Sequence, residues 1–415
     1  MDAVTPGYKL TDAGVIPEGW EVTTLSQLTL GGSKNGYSGR VGREGSGTLT
    51  LKLSATTSGV MDINDETVKR LAEIVPTGSD LYLERGDVLI QRSNTFDLVG
   101  MAAVYCGPYN TYIYPDLMMR LRFRNPVTAQ YFWRYANSDS GRRFFQSIAA
   151  GSTGSMPKIS GVRLSSMPVP LPPLAEQRAI AAALGDLDRL IVASGRGVAK
   201  RRDLKQAAMQ QLLTGRTRLP GFADPWVEKR IADVATPSTA RNFAAESLPV
   251  LSCSKHLGFV DSLKYFKNQV FSDDTSGYRV IRRGELGYPA NHIEEGSIGL
   301  QDLYDVALVS PIYVVFGVHD CMNSYFLHRL LKLETYRAKF STATSSSVDR
   351  RGSLRWAAFS EIKVTVPPLP EQQAIAAVLA DFDAELEALE AERAKWRLVK
   401  QGAMQELLTG RTRLV

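Results

Sequence analysis

The sequence predicts an α+β chain. Two mixed α/β globular domains are separated by two long antiparallel coiled-coil helices, in a pseudo-two-fold repeat. Three observations lead there. Residues 172–220 and 367–415 align without a gap at an offset of 195, and 29 of the 49 positions are identical. Each copy carries apolar residues at coiled-coil spacing. The stretch before each copy runs through one shared order of strand-like segments, turns and helix. The boundaries are 1–171 for the first globe with its leader, 172–219 for the first helix, 220–366 for the second globe and 367–415 for the second helix.

In order along the chain, Trp20, Val22, Leu25 and Leu28 open the first core. A polar Gly/Ser-rich loop, 31–47, follows. Strand-like runs come at Leu49–Leu53, Asp87–Gln91, Met101–Tyr105 and Leu117–Phe123, divided by turn signals such as Arg85-Gly86-Asp87. One aromatic-rich helix is expected over 129–148, then a small-residue loop over 149–161, then a strand at Met167–Leu171. The second globe repeats the script with Trp226, Ile231 and Val234, the turn Arg283-Gly284-Glu285, a strand at Val306–Phe316, a helix around Tyr325–Phe340, a loop over 341–353 and a strand at Ile362–Val366.

Each repeat copy opens with Pro-Pro and closes with Thr-Gly-Arg-Thr-Arg-Leu, which suit a helix start and stop. The expected pairing residues are Ile180, Leu184, Leu187, Ile191 and Leu212 in the first helix. In the second they are Ile375, Leu379, Phe382, Leu386, Leu389 and Leu407. A helix of about 38 residues is about 57 Å long. That is too long to bury its seam on one small globe, so the other copy is its partner. Charge sets the direction. In parallel, Asp186 meets Asp381 and Lys200 meets Lys395; antiparallel, Lys200–Arg202 lie near 382–384 and Asp186 near 398. Ser194-Gly195-Arg196-Gly197 is the weak point, since interior glycines cost about 1 kcal/mol each.

The composition bounds the function. Hydrophobic content of 44% and charged content of 22% are those of a globular protein. No apolar run reaches the roughly 18 residues of a membrane span, and no secretory signal opens the chain. Cys106, Cys253 and Cys321 are widely spaced and odd in number, as suits free thiols in a reducing cytosol. Net charge is +6, yet the first copy carries nine basic and four acidic residues and the second six and eight, leaving +3 for the globes and leader. Any nucleic-acid contact is therefore local.

No catalytic constellation emerges. Ser310-Pro311-Ile312-Tyr313 lacks the second proline of an amino-methyltransferase loop, and no glycine-rich loop is placed to hold a methyl donor. Glu361-x-Lys363 with Asp349 is a loose nuclease pattern on a strand. There is no phosphate loop, and His256, His292, His319 and His328 form no metal-ligand pair on a helix. Neither catalytic nor metal-ligating residues are assigned.

The repeated Pro-Pro-Leu-x-Glu-Gln, Ala-Ile-Ala-Ala and Leu-Leu-Thr-Gly-Arg-Thr-Arg-Leu motifs resemble those of the specificity (S) subunit of Type I restriction–modification systems. The likeness spans essentially the whole chain. It includes Gly7-Tyr8-Lys9-Leu10-Thr11, Ile16-Pro17-Glu18-Gly19-Trp20, Arg92-Ser93-Asn94-Thr95, Lys158-Ile159-Ser160 and Arg350-Arg351-Gly352-Ser353-Leu354. The resemblance implies two target-recognition domains, each reading one half of a split double-stranded DNA sequence. It implies two modification (methyltransferase) subunits docked on the helices, with S-adenosylmethionine bound in those subunits and adenine as the methylated base. Restriction subunits using ATP and Mg2+ join the full complex. It implies no cofactor in this chain, no membrane partner, a cytoplasmic location and a part in phage defence.

The candidate DNA-contacting residues are Lys34, Asn35, Tyr37, Arg40 and Arg43 in the Gly-rich loop, Arg92 and Asn94, and Ser155 and Lys158. In the second globe they are Asn291, His292, Arg350 and Arg351. Arg and Lys suit phosphates or guanine edges, and Asn suits adenine edges. Arg120, Arg122 and Arg124 alternate along a strand and fit either a binding face or a solvated one. A rod of fixed length would act as a ruler for the spacer between half-sites. The alternative reading is a coiled-coil scaffold or adaptor that binds protein partners; a self-sufficient methyltransferase or nuclease is a third.

Overall fold

A computed structural model describes residues 6–42, 47–149, 156–345 and 353–414. The chain divides into two compact units. One is residues 1–195 with 391–415, and the other is residues 196–390. Each unit therefore combines one globe with the near half of one long helix and the far half of the other.

The elements that position the candidate site in the first unit are strands β1 (Glu21–Thr24), β2 (Thr29–Asn35), β3 (Val88–Gln91), β4 (Ala102–Val104), β5 (Met118–Phe123) and β6 (Pro168–Leu171), with helices α1 (Pro126–Ala136) and α2 (Asp139–Ile148). The second unit has β7 (Val227–Arg230), β8 (Ala235–Ser238), β9 (Leu286–Pro289), β10 (Gly299–Leu300), β11 (Tyr313–Val318) and β12 (Lys363–Val366). The long helices are α3 (Leu174–Leu212) and α6 (Leu369–Leu408); between them lie α4 (Ser324–Leu331) and α5 (Glu334–Ser345).

The two units share one topology. The central sheets run β2-β5-β3-β4 and β8-β11-β9-β10, all antiparallel. In both, the strand entering the globe pairs with the strand leaving it: β1 with β6, β7 with β12. One face of each sheet packs on its helices. Val88, Ile90, Met119 and Leu121 meet Phe132 and Phe145 in the first core, while Leu286, Tyr288 and Phe316 meet Phe326 and Phe340 in the second.

Five expected elements differ, the first being the loop over 341–353, into which α5 runs as far as Ser345. The loop over 31–47 is instead a strand as far as Asn35. Gly31 and Gly32 both take φ +71, and the register with β5 shifts there, so two glycines make a bulge within an edge strand. The single helix over 129–148 is two helices. Ser138 caps α2, and Asn137 bonds the N–H of Ala102 and, through Nδ2, its carbonyl. The helix around Tyr325–Phe340 breaks at the matching place between α4 and α5. The run Val306–Phe316 is two strands, Val306–Val309 and β11, because the turn at Ser310-Pro311-Ile312 offers no proline N–H to a ladder.

The helices pair antiparallel within each unit. In the first, Ile180 and Leu184 share a core with Leu407 and Leu408, and Lys400 bridges to Asp188 at 2.6 Å. In the second, Ile375 and Leu379 share a core with Leu212 and Leu213. There Arg202 meets Glu390 at 2.8 Å, Lys205 pairs with Asp383, and Arg201 pairs with Glu385 while lying over the Phe382 ring. Leu187, Ile191, Phe382, Leu386 and Leu389 are half-buried. Asp186 meets its own-helix neighbour Arg189 instead of crossing. Helix α3 runs unbroken through Ser194–Gly197. A Cβ on Gly195 would stand 3.3 Å from the Arg393 guanidinium, so this glycine makes room for the opposing helix.

The repeated motifs close each unit with the same clamp. Glu176 is fully buried, Arg413 grips both its oxygens, the Nη2 contact being 2.7 Å, and the Trp20 indole donates to it at 3.0 Å. At the offset of 195, buried Glu371 holds Arg218 at 2.6 and 2.7 Å. Each arginine lies 5.8 Å from its tryptophan ring, Trp20 or Trp226. The neighbouring glutamines also match: Gln177 donates to Pro172 O and Gln372 to Pro367 O, both at 2.8 Å. The C-terminal arginine of one long helix is thus locked to the first turn of the other.

Candidate nucleic-acid interface

The first sheet gathers polar residues at one end. At the end of β2, Gly36 N donates to Met118 O and Tyr37 N to Tyr114 O, at 3.2 and 2.9 Å. A Cβ on Gly36 would stand 2.1 Å from Tyr114 O, so only glycine lets the chain turn there. Just past β3, Arg92 N donates to Leu117 O at 2.8 Å, and Ile159 N donates to Arg92 O at 2.9 Å. Ser93 and Lys158 form a bridge. These backbone bonds bring Asn35, Tyr37, Arg92, Asn94 and Lys158 to one end of the sheet from three separate stretches. Asn94 is partly committed to its turn: its Nδ2 donates to Gln91 and its Oδ1 accepts from Thr95 N at 2.7 Å.

Other candidates are drawn into ion pairs. Lys34 bonds Asp80, and Arg40 meets Glu73 at 3.3 Å. Asp80 also takes Arg120 at 2.9 Å and Arg122 at 3.0 Å; Arg122 reaches Glu84 at 2.8 Å and Asp87 at 3.0 Å. The Lys34 hydrogen bond, with Arg120 behind it, holds the Asp80 carboxyl down at about 2, while burial raises Asp87. Arg120 is buried. Arg120 and Arg122 therefore serve the interior of the fold, and of the three alternating arginines Arg124 alone is exposed.

The matching end of the second sheet is an open groove of about 830 Å³. The same backbone stitches make it: Ala290 N donates to Ile312 O at 3.3 Å and Leu354 N to Ala290 O at 2.7 Å. Asn291 lines it with Arg279, Arg355, Trp356 and Thr239. Arg279 donates to Pro311 O at 3.3 Å; burial and the like charge of Arg241 lower its pKa. His292 lies on an exposed turn, its Nδ1 3.2 Å from Glu295; ligating atoms of His292, Glu294 and Glu295 lie within 4.8 Å of one another. Arg43, Ser155, Arg350 and Arg351 lie outside the described residues.

Sequence reasoning missed Arg279, Arg355 and Trp356. A signal was present for the last two: at the offset of 195 they match Ser160 and Gly161, next to Lys158. The decoys are structural. Tyr313 is buried and its hydroxyl accepts from Cys253 N at 2.8 Å. Glu361 meets Arg230 at 3.4 Å and Lys363 meets Glu228 at 2.8 Å; Asp349 lies outside the described residues.

Comparison with known proteins decides the family. The family model for the type I restriction modification DNA specificity domain matches twice, over residues 52–196 and 257–395, together more than half of the chain. The chain belongs to this specificity family. It is a specificity component of a type I restriction–modification system and not an enzyme. A Methanocaldococcus jannaschii protein provisionally named the type I restriction enzyme MjaX specificity subunit is 24% identical over 98% of this chain and 97% of its own. The Escherichia coli K12 EcoKI specificity subunit is 29% identical over 35% of this chain and 32% of its own. Among solved structures, a chain from a study of complex assembly and conformational transition of the type I R-M system matches with TM-score 0.56 and 17% identity, covering 95% of this chain and 99% of that one. The type I S subunit from M. genitalium matches with TM-score 0.55 and 13% identity, covering 97% and 98%. These two likenesses support the fold. Among the described residues no helix is long and apolar enough to cross a membrane.

Proposed function

We propose that each unit of this specificity subunit reads one half of a bipartite double-stranded DNA target with the end of its central sheet. The paired helices set the spacer and dock two modification subunits, which hold S-adenosylmethionine and methylate adenine. Restriction subunits, with ATP and Mg2+, complete the assembly, which acts in the cytoplasm against incoming phage DNA. One observation carries the reading: two sheets of identical strand order present unlike side chains at the same end, Arg92, Asn94 and Lys158 in one and Arg279, Asn291 and Arg355 in the other. A shared frame with unlike tips suits two different half-sites, because phosphate contacts position a protein while base-edge contacts specify sequence.

The test is the methyladenine pattern of DNA from cells expressing this chain with its modification subunit. The expected result is a split motif. Asn291→Ala should relax one half of it alone, since a bidentate base contact discriminates by about 1–3 kcal/mol. Arg92→Ala should affect the other half alone. A continuous motif, or both halves changed by one substitution, would overturn the reading. Insertion of residues midway along both helices should change the spacer and leave the half-sites as they were.

A further inference from the structure

The loop that follows β3 in the first unit carries an aromatic ring that the fold does not use. It runs from Arg92 to Gly100, whose N–H returns to Gln91 O at 2.8 Å. Gln91 is buried, and its Oε1 accepts from Asn94 Nδ2 at 2.6 Å. Within the loop, Leu98 N and Val99 N both donate to Thr95 O, at 3.0 and 2.9 Å. From α2, the Arg142 guanidinium donates to Val99 O at 2.7 Å and to Asp97 O at 2.9 Å. Val99 is fully buried and Leu98 half-buried, yet Phe96, at the tip, is 56% exposed. Exposure alone would mean little, because isolated apolar side chains are common on protein surfaces. Here the backbone is pinned at its base, in its turn and by Arg142. It holds the ring outward on the same loop that presents Arg92 and Asn94 and bridges through Ser93 to Lys158.

The second unit differs at this place. Its matching loop, 290–296, ends on Gly296 at φ +91, as 92–100 ends on Gly100 at φ +83. Arg337, at the offset of 195 from Arg142, runs beside Gly296, 3.5 Å from where a Cβ would stand. The frame is therefore shared, down to the glycine and the arginine. The contents are not. The second loop has seven residues against nine, its one large apolar side chain, Ile293, is fully buried, and it exposes His292 and Glu295 instead.

Resting on the reading that this end of the sheet meets DNA, we propose that Phe96 is a wedge. It enters the base stack at the half-site of the first unit and unstacks one step there. Apolar side chains inserted between base steps kink a duplex, and opening a step is costly, so the side chain that does it has to be held firmly. The three anchors of this loop supply that. Arg92 and Lys158 beside it suit the phosphates that flank an opened step. Pyrimidine–purine steps open most easily. The ring therefore selects such a step without a hydrogen bond to any base, and it does so in one half-site through a loop that the other unit has built for polar side chains.

The experiment uses the full chain with its modification subunit, on duplexes carrying the split motif with 2-aminopurine placed in turn at each position within and beside both half-sites. The target adenines are left out, since enzymes that act on a base take it out of the stack. The unaltered chain should raise fluorescence at one step of the half-site that Arg92→Ala affects. Phe96→Ala should abolish that rise, weaken binding about tenfold, the scale of losing an aromatic contact to a base, and relax the methyladenine pattern at that step alone. Phe96→Leu keeps an apolar wedge and should restore most of the rise and the affinity. Tyr109 lies beyond the opposite end of β3, following Tyr105, whose N–H donates to Asp87 O at 2.7 Å. It is 66% exposed, so Tyr109→Ala is the control and should change neither. No rise at any position with the unaltered chain, or a rise that survives Phe96→Ala, would overturn the proposal. So would a loss of binding in Phe96→Ala that came with a lower unfolding midpoint, which would assign the ring to the fold, or with poorer assembly on the modification subunit, which would make it a protein contact. If the unaltered complex bound the split motif no better than a scrambled duplex, the underlying reading would fail instead.

Discussion

The outer faces of the two central sheets are built differently on one frame. In the first unit Leu89 pairs with Arg120, and Arg120 and Arg122 tie the sheet to Asp80, Glu84 and Asp87. In the second, the places of Leu89 and Arg120 are taken by Gly287 and Val315. There Phe259 fills the space: a Cβ on Gly287 would stand 3.1 Å from its ring, which stacks on Tyr313 at 6.3 Å. Ion pairs beside an apolar cluster of Leu89, Ala103, Tyr105 and Met118 hold the first face, and a cluster around the Phe259 ring holds the second. The clamps at the helix ends, by contrast, are the same pair of residues in both units. The constraint lies where the globe meets the helices, and the outer face is free to vary so long as something fills or pairs it.

Four expected outcomes sharpen that contrast. Glu176→Ala should have the largest effect, about 3–5 kcal/mol by denaturant unfolding, because it strands Arg413 beside a buried site. Glu371→Ala should lower stability by less, since the Trp226 indole N–H, unlike that of Trp20, has no hydrogen-bond partner among the described residues. Equal effects would show that the tryptophan hydrogen bond adds nothing. Next, Phe259→Ala should cost about 3 kcal/mol through the cavity it leaves, with little dependence on salt.

The third outcome concerns pH. The Asp80 carboxyl sits at about 2 in the folded chain against an ordinary 3.8. A depressed carboxylate stabilises the fold above its unfolded value and loses that contribution as pH falls through its folded one. Asp80→Asn should therefore lower the unfolding midpoint at neutral pH, and the gap from the unaltered chain should close between about pH 4 and pH 2. A gap that persisted at pH 2 would break the account of the charged face. The smallest effect belongs to Arg40→Gln, which removes an exposed pair with Glu73. It should change stability by no more than about 0.5 kcal/mol; a larger loss would mean that the pair orders the approach to the sheet end.

Much of this was legible in the chain of residues. The offset of 195 predicted two units, and the charge order along the helices predicted their antiparallel sense, seen in Lys205 with Asp383 and Lys400 with Asp188. The candidate site was legible in part. Arg92, Asn94 and Lys158 were singled out by their motifs, and backbone bonds draw their two segments together, whereas Lys34 and Arg40 sit in ion pairs with Asp80 and Glu73, distant in sequence. Arg279 went unseen because its place in the groove depends on a strand pairing, Arg279 with Val309, that no local pattern announces.

By itself the sequence determined the repeat, the long helices, their direction and the family, because periodicity and identity are carried by neighbouring residues. Only the tertiary structure decided what the repeated motifs do. Glu176 and Arg413 are 237 positions apart, and Glu371 and Arg218 are 153 apart. A buried carboxylate needs a cation wherever the fold can bring one, and here the fold brings the end of each helix to the start of the other.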